Sequence, residues 1–254
     1  MSNWIRTFAP APHAALRLFC FHYVGGSASA FRTWAQRLAP GVEVSAVQLP
    51  GRETRIREAP FTDLLALAER VAAELTPLLN GKPFAFFGHS MGALLAFEVT
   101  RELRRRGLPA PVHLFASSAA APQNRMGRTR HTLGDAELVE ELRRLGGTPE
   151  EVLQHEELLQ LVLPLLRADF SVVDTYRYRE EEPLDVPLSA FGGREDDGVT
   201  EAHLRDWQSQ TRAPFALRLF PGGHFYLHAH EGEVAAEVGR TLTSIPSPRA
   251  RGEG

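Results

Sequence analysis

The sequence predicts an α/β fold in which a mostly parallel central sheet carries helices on both faces. Apolar runs suited to strands buried on both faces alternate with segments whose apolar residues recur at helical spacing. This alternation recurs along the chain and is interrupted once, over residues 123–183. With 254 residues, 43% of them hydrophobic and 23% charged, the chain is large enough for one domain with an insertion.

Strands are predicted where short apolar runs end at glycine, proline or polar residues. These runs cover 16–23, 42–48, 84–87, 112–116, 188–191 and 215–220. Helices are predicted between the strands, the first from Phe31, Trp34 and Leu38 and the last ending near Ile245. Residues 247–254 are expected to form a disordered tail.

The segment 123–183 has helical spacing but no run that suits a buried strand, so it predicts a helical lid insertion. Leu138, Leu142 and Leu145 share one helical face, which must pack against another surface. The insertion precedes a strand whose end is expected to carry a functional residue. We therefore expect it to cover that edge of the sheet and to be mobile. The expected organisation is a single domain over 1–254, with a core of about 1–122 and 184–246.

Composition excludes several other classes of protein. The 28 basic and 31 acidic residues give a net charge of −3, without the basic excess that binding to nucleic acid needs. Cys20 is the only cysteine, so neither an intramolecular disulfide nor a multi-thiolate metal site can form. No signal peptide or long apolar span is recognisable. We expect a cytoplasmic protein without nucleic-acid or membrane partners and without a metal.

The pentapeptide 88–92, Gly-His-Ser-Met-Gly, matches the pattern G-x-S-x-G between a predicted strand and a predicted helix. A sharp turn there places Ser90 in a strained backbone, while Gly88 and Gly92 allow the strand and the helix to approach closely. The serine then projects at the N-terminus of the helix, where backbone N–H groups favour developing negative charge. Ser90 is therefore the predicted nucleophile of an α/β-hydrolase fold.

A nucleophilic serine needs a histidine base that is oriented by a carboxylate. Among the ten histidines, His224 lies in a glycine-bearing loop directly after a late strand, which makes it the predicted base. The acid is expected after the preceding strand, where three acidic residues are adjacent. Asp196 is preferred for its offset from the following valine, and Asp197 and Glu195 remain open.

Two backbone N–H groups are expected to bind the oxyanion that forms during acyl transfer. One belongs to Met91, the residue after the nucleophile. The second is expected in the loop after the strand at 16–23, where Val24 is preferred and Tyr23 or Gly25 would serve in another register.

With these residues, the chain resembles the type II thioesterases of polyketide and nonribosomal peptide biosynthesis, which belong to the α/β-hydrolase superfamily. The resemblance spans about residues 15–243. The elbow at Ser90 indicates only the superfamily. The narrower signals are a Pro-Gly-Arg-Glu run at 50–53 and a Leu-Arg-Ala-Asp-Phe run at 166–170.

The resemblance implies that the enzyme hydrolyses aberrant or stalled acyl groups from the phosphopantetheine arm of acyl or peptidyl carrier proteins. It implies an acyl-enzyme on Ser90 and no cofactor. Carrier proteins are generally acidic, so we expect them to contact arginines near the site. The preferred set is Arg125, Arg128 and Arg130, and the alternative set is Arg52, Arg55 and Arg57.

Three other functions are compatible with the same residues. A carboxylesterase or lipase acting on free esters would use the same triad. A catalytically inactive binding protein is disfavoured by the complete set of Ser90, Asp196 and His224. A chain-terminating domain would be expected at the end of a synthase, whereas this chain starts at Met1.

Overall fold

The structure, a computed structural model, describes residues 3–79, 81–124 and 127–245. Within these residues, seven strands form one sheet: β1 (Ile5–Thr7), β2 (Leu16–Phe21), β3 (Val42–Val47), β4 (Phe84–His89), β5 (Leu114–Ser117), β6 (Leu188–Gly193) and β7 (Phe215–Phe220). The helices are α1 (Arg32–Leu38), α2 (Leu64–Leu75), α3 (Met91–Arg105), α4 (Asp135–Leu145), α5 (Glu150–Leu153), α6 (Glu156–Asp174), α7 (Glu201–Arg205), α8 (Tyr226–Ala229) and α9 (Glu231–Thr243). The predicted tail at 247–254 lies outside the described residues.

The strands follow the order β1-β3-β2-β4-β5-β6-β7. All neighbouring pairs are parallel except β1 with β3, where Ile5 lies opposite Val47. Strand β1 is not predictable from the sequence, because its three half-buried residues carry no recognisable periodicity. Each of the other six strands begins and ends within two residues of its predicted bounds. The carboxyl ends of these parallel strands share one edge of the sheet.

Strand β4 shows why the predicted strands are apolar without interruption. Phe84 and Phe86 lie in the core cluster formed with α2 and α3, whereas Ala85 and Phe87 lie in the cluster formed with α1 and α9. Successive side chains of a strand point to opposite faces, so a sheet covered on both faces needs apolar residues at every position. The predicted two-layer coverage by helices is confirmed.

The insertion between β5 and β6 divides into two parts with different packing. Helices α4 and α5 and part of α6 share a small core of their own, made of Leu138, Leu142, Leu153, Leu163, Leu166 and Phe170. The end of α6 and the segment after it belong to the main core, where Val172, Val173 and Tyr176 are buried. The insertion is thus joined to the sheet along its C-terminal part.

Helix α6 is continuous over 19 residues although Pro164 lies inside it. Within the described residues, no helix is both long and apolar enough to cross a membrane.

Candidate active site

The turn from β4 into α3 places Ser90 in the left-handed region, with φ 55°. Its N–H donates to the Ser117 carbonyl at 2.7 Å, which ties the turn to the end of β5. A Cβ on Gly88 would lie 2.1 Å from the Gly92 carbonyl oxygen, and one on Gly92 would lie 2.1 Å from the Phe21 oxygen. Any side chain at either position would therefore separate the strand from the helix, as the pentapeptide pattern predicted.

Three side chains from three strand ends form a chain of hydrogen bonds. His224 Nε2 lies 3.0 Å from Ser90 Oγ, and His224 Nδ1 lies 2.8 Å from Asp196 Oδ2. With Nδ1 protonated and donating to the carboxylate, Nε2 is the acceptor for the serine hydroxyl. The side chain of Asp196 is only 3% exposed, and that of His224 is 16% exposed.

The acidic loop after β6 separates Asp196 from its two alternatives. Asp196 Oδ1 accepts the N–H groups of Gly198 and Val199 at 2.9 and 3.0 Å, so both carboxylate oxygens have fixed partners. Glu195 and Asp197 are exposed, and the Glu195 carboxylate instead accepts the Gly222 N–H. Of the three acids, the structure places only Asp196 against His224.

Two serines at the end of β5, which were not among the predicted site residues, hold the loop that carries His224. Ser118 Oγ donates to the His224 carbonyl at 3.0 Å. Ser117 Oγ lies 2.6 Å from the Tyr226 hydroxyl and 2.8 Å from His89 Nδ1. Burial, with His224 and His228 nearby, lowers the pKa of His89 well below its usual value. His89 is therefore a neutral packing residue. The sequence signal for Ser117 and Ser118 was a pair of serines directly after a predicted strand.

Met91 and Val24 carry the N–H groups that are predicted to bind the oxyanion. Met91 is the first residue of α3, so its N–H has no partner within the helix. Val24 lines the same cavity as Ser90. Among the described residues, neither N–H forms a hydrogen bond. The Gly25 alternative is excluded, because its N–H donates to Asp169 Oδ2 at 2.8 Å.

A cavity of about 530 Å³ contains Ser90 and is lined by both the sheet and the insertion. The insertion contributes Leu142, Leu145 and Phe170 among other residues. Gly147, in the turn after α4, rests on the ring of Phe225, and a Cβ there would lie 2.2 Å from its Cζ. The insertion thus contacts the residue that follows His224. Within the described ranges, no cluster of three or more histidine, cysteine, aspartate or glutamate side chains is arranged for a metal ion.

The arginines predicted to contact a partner lie in different environments. Arg128 is exposed and lines the cavity. Arg130 pairs with Asp174 at 2.6 Å and stacks over Phe170, with its guanidinium carbon 4.6 Å from the ring centroid. Both partners of Arg130 belong to the insertion, so its charge is already paired there. Arg125 lies outside the described residues.

The alternative set of arginines is mostly buried. Arg52 pairs with Asp169, and Arg55 pairs with Glu58 and stacks over the ring of Trp4. Arg57 alone of the three is exposed. The two sequence runs that carried the family resemblance, 50–53 and 166–170, are therefore in contact in the structure, since Arg52 of the first pairs with Asp169 of the second.

A serine on a strained strand–helix turn, a histidine and a carboxylate on later strand ends, and a parallel sheet define an α/β hydrolase. The family model described as "Thioesterase domain" matches residues 16–242, and the chain belongs to this family. It is accordingly an enzyme, a thioesterase. The predicted family and the predicted fold are both confirmed.

Proteins of known pathways are similar to this chain over nearly their whole length. The gramicidin S biosynthesis protein GrsT of Aneurinibacillus migulanus is 46% identical over 237 residues, which cover 93% of this chain and 92% of GrsT. The thioesterase RedJ of the prodiginine pathway in Streptomyces coelicolor has a TM-score of 0.86 at 42% identity, covering 91% of this chain and 87% of RedJ. The type II thioesterase BorB of the borrelidin cluster has a TM-score of 0.86 at 38% identity, covering 96% and 98%. The predicted resemblance to type II thioesterases is confirmed.

Proposed function

We propose that the enzyme removes aberrant or stalled acyl groups from the phosphopantetheine arm of acyl or peptidyl carrier proteins. The observation that carries the proposal is the hydrogen-bonded chain of Ser90, His224 and Asp196, with distances of 3.0 and 2.8 Å, at the wall of a cavity large enough for an acyl chain. The pathways of GrsT, RedJ and BorB support a substrate class drawn from polyketide or nonribosomal peptide assembly.

In the proposed acylation step, Ser90 Oγ attacks the thioester carbonyl and transfers its proton to His224 Nε2. Asp196 holds the imidazole in the required tautomer and stabilises the imidazolium that forms. The N–H groups of Met91 and Val24 donate to the carbonyl oxygen as it gains negative charge. The carbon–sulfur bond then breaks, and the pantetheine thiolate leaves readily because a thiol has a pKa near 8.5. The proton on His224 Nε2 passes to the departing sulfur, so the thiol leaves and the imidazole is neutral again.

In the proposed deacylation step, a water molecule gives a proton to His224 Nε2 and attacks the acyl-enzyme carbonyl. The tetrahedral intermediate collapses, the proton returns to Ser90 Oγ, and the free acid departs. Both steps need only a base, a nucleophile and oxyanion donors, so the proposal includes no cofactor.

Arg128 is the contact that we propose for the carrier protein, because it is exposed at the cavity that holds Ser90. An acidic carrier would be attracted to this cation, and the attraction would weaken with added salt. Arg130 contributes indirectly, by holding the insertion through Asp174. The insertion 123–183 is proposed to act as the lid over the arm and the acyl chain.

The test compares one acyl group presented on a carrier protein, on coenzyme A and as a simple oxygen ester. We expect kcat/KM to be highest for the carrier. Arg128→Glu should raise KM for the carrier about 10-fold and leave a small thioester unaffected. Arg240→Glu is the matched control, since Arg240 is an exposed arginine on α9 outside the cavity lining.

One result would contradict the proposed reaction, and another would contradict only the proposed carrier contact. Equal turnover of the oxygen ester and the carrier thioester would favour the carboxylesterase alternative. Equal effects of the two arginine variants would remove Arg128 from the carrier contact without affecting the assignment of the reaction.

A further inference from the structure

A buried ion pair joins the insertion to the loop that follows β3. The guanidinium of Arg52 donates to Asp169 Oδ2 and Oδ1 at 2.9 and 2.7 Å, and the two side chains are 5% and 3% exposed. The residues are 117 positions apart in the chain. Two parallel hydrogen bonds between a guanidinium and a carboxylate fix their relative orientation as well as their distance.

The same pair binds the backbone of residues 23–26, here called the oxyanion turn. Asp169 Oδ2 accepts the Gly25 N–H at 2.8 Å, and Arg52 donates to the Gly26 carbonyl at 3.0 Å. Gly26 N–H in turn donates to the Tyr23 carbonyl at 2.9 Å, which closes the turn. The oxyanion turn is therefore held by two hydrogen bonds to the ion pair and by one hydrogen bond within its own backbone.

These contacts determine where the Val24 N–H points. Tyr23 C=O and Val24 N–H belong to one planar trans peptide, so they point in opposite directions. Because the Tyr23 carbonyl is directed into the turn, the Val24 N–H is directed out of it. Val24 lines the cavity that contains Ser90.

Packing brings α6 directly onto the turn. Gly25 has φ 72°, and a Cβ there would lie 2.6 Å from Leu166 Cδ2. Gly51, next to Arg52, has φ 83°, and a Cβ there would lie 3.1 Å from Leu165 Cδ1. Glycines at these two positions let the helix approach closely enough for Asp169 to reach the Gly25 N–H.

We infer that Arg52 and Asp169 are positioning residues for the reaction, and that helix α6 of the insertion holds the second oxyanion donor in place through them. The inference rests on the proposed function, in which the Val24 N–H binds the oxyanion. In this inference Arg52 also has an electrostatic effect on the reaction. The guanidinium neutralises a carboxylate that would otherwise oppose the negative charge of the transition state.

The test measures hydrolysis of a small acyl thioester, which needs no carrier contact. Asp169→Asn keeps the size of the side chain and one acceptor oxygen but removes the charge pair. We expect kcat to fall about 100-fold with KM changed less than about 3-fold, because an oxyanion donor acts in the transition state. Arg52→Gln should reduce kcat further, since it leaves Asp169 charged, and Arg52→Lys should restore part of the loss.

Glu98→Gln is the matched control. Glu98 is equally buried and pairs with the buried Arg101 at 2.7 Å, and it accepts the Tyr176 hydroxyl in the segment after α6. It has no contact with the oxyanion turn among the described residues. This variant should lower the melting temperature but change kcat less than about 3-fold. A boronic acid that becomes a tetrahedral anion on Ser90 should bind more weakly to the Asp169 and Arg52 variants only.

A normal kcat for Asp169→Asn, or equal loss of kcat in Glu98→Gln, would overturn the inference. If Asp169→Asn does not fold, Arg52→Lys decides, because it keeps the positive charge: an unchanged kcat and inhibitor affinity would overturn the inference. Ser90→Ala is assayed in parallel. Turnover retained by Ser90→Ala would instead refute the proposed function, so the two failures are distinguishable.

Discussion

The two sides of the cavity are built differently. On the sheet side, Ser90, Asp196 and His224 each lie within four residues of the end of a strand, and each takes part in at least one hydrogen bond with a backbone atom. On the insertion side, the helices are held by side chains that are far apart in the sequence, such as Arg130 with Asp174. The sheet side therefore derives its precision from the strands, whereas the insertion side derives it from a few ion pairs.

The insertion repeats this contrast internally. Helix α4 buries only Leu138 and Leu142, and α5 buries only Leu153. The C-terminal half of α6 buries most of its residues and carries Asp169 and Asp174. The C-terminal half of α6 is thus packed into the protein, whereas α4 and α5 bury only three residues between them.

The largest expected effect lies on the sheet side. Ser90→Ala removes the attacking oxygen, so turnover of any thioester should fall at least about 10⁴-fold while the melting temperature stays near that of the wild type. Steady-state kinetics with thermal unfolding provide the measurement. Residual activity above about a hundredth of the wild type would contradict the role of Ser90 and would remove the distinction between the two sides.

The second prediction separates neighbouring acids. Asp196→Asn should reduce kcat about 10³-fold or more, because the amide cannot hold His224 in the productive tautomer. Asp197→Asn is the control, since that exposed side chain makes no hydrogen bond to His224, and it should stay within about 3-fold of the wild type. The opposite ranking would reassign the triad acid.

The third prediction addresses the two parts of the insertion. Backbone amides of α4 and α5 should exchange with solvent about 100-fold faster than those of residues 166–174, because few buried contacts oppose opening of the first two helices. Hydrogen–deuterium exchange read by mass spectrometry resolves these segments. Uniform protection across the insertion would show a rigid subdomain, and uniformly fast exchange would show that the Arg52–Asp169 pair does not anchor α6.

The smallest effect concerns pH and arises on the sheet side. Burial lowers the pKa of His113 to about 4, and burial together with Arg52 lowers the pKa of His22 to about 3. Both histidines are neutral when folded but bind protons in the unfolded chain below about pH 6.5, so acid favours unfolding. Their contribution is fully present above pH 6.5 and is lost as the pH falls toward 4.

Between pH 7 and pH 5 we expect the free energy of unfolding to drop by about 2 kcal/mol for each of these histidines. Urea unfolding at the two pH values measures the difference. His113→Gln retains a partner for Ser189 Oγ but cannot titrate, so its loss should be smaller than that of the wild type by one histidine's share. Equal losses in both proteins would contradict the assignment.

The contrast between the two sides also explains what the sequence could predict. Ser90 lies in a local pattern whose geometry depends on five consecutive residues, and His224 and Asp196 follow recognisable strands. Their meeting follows from parallel topology, which brings strand ends to one edge. The choice between Val24 and Gly25 required the structure, because it depends on a carboxylate 144 residues away from Gly25.

The remaining misses have the same physical origin. Arg130 is indistinguishable from a solvated cation in the sequence, and only the fold shows Asp174 and Phe170 against it. Arg52 and Asp169 were recognised as parts of family motifs, but nothing local shows that they pair. Long-range ion pairs have no periodicity, so pattern analysis detects the residues without their partners.

The position of α4 on the cavity has a consequence for how such enzymes diversify. Leu142 and Leu145 line the space beside Ser90, yet neither belongs to the hydrogen-bonded triad or to the pair that holds the oxyanion turn. Substitutions of these two side chains would change the room for a substrate without replacing a reacting group, and the effect on the oxyanion turn would depend on the core that Leu142 shares with Leu166 and Phe170. Selectivity and catalytic power can thus evolve as separate traits, and a duplicated gene can acquire a new substrate through a handful of changes in a single exposed helix.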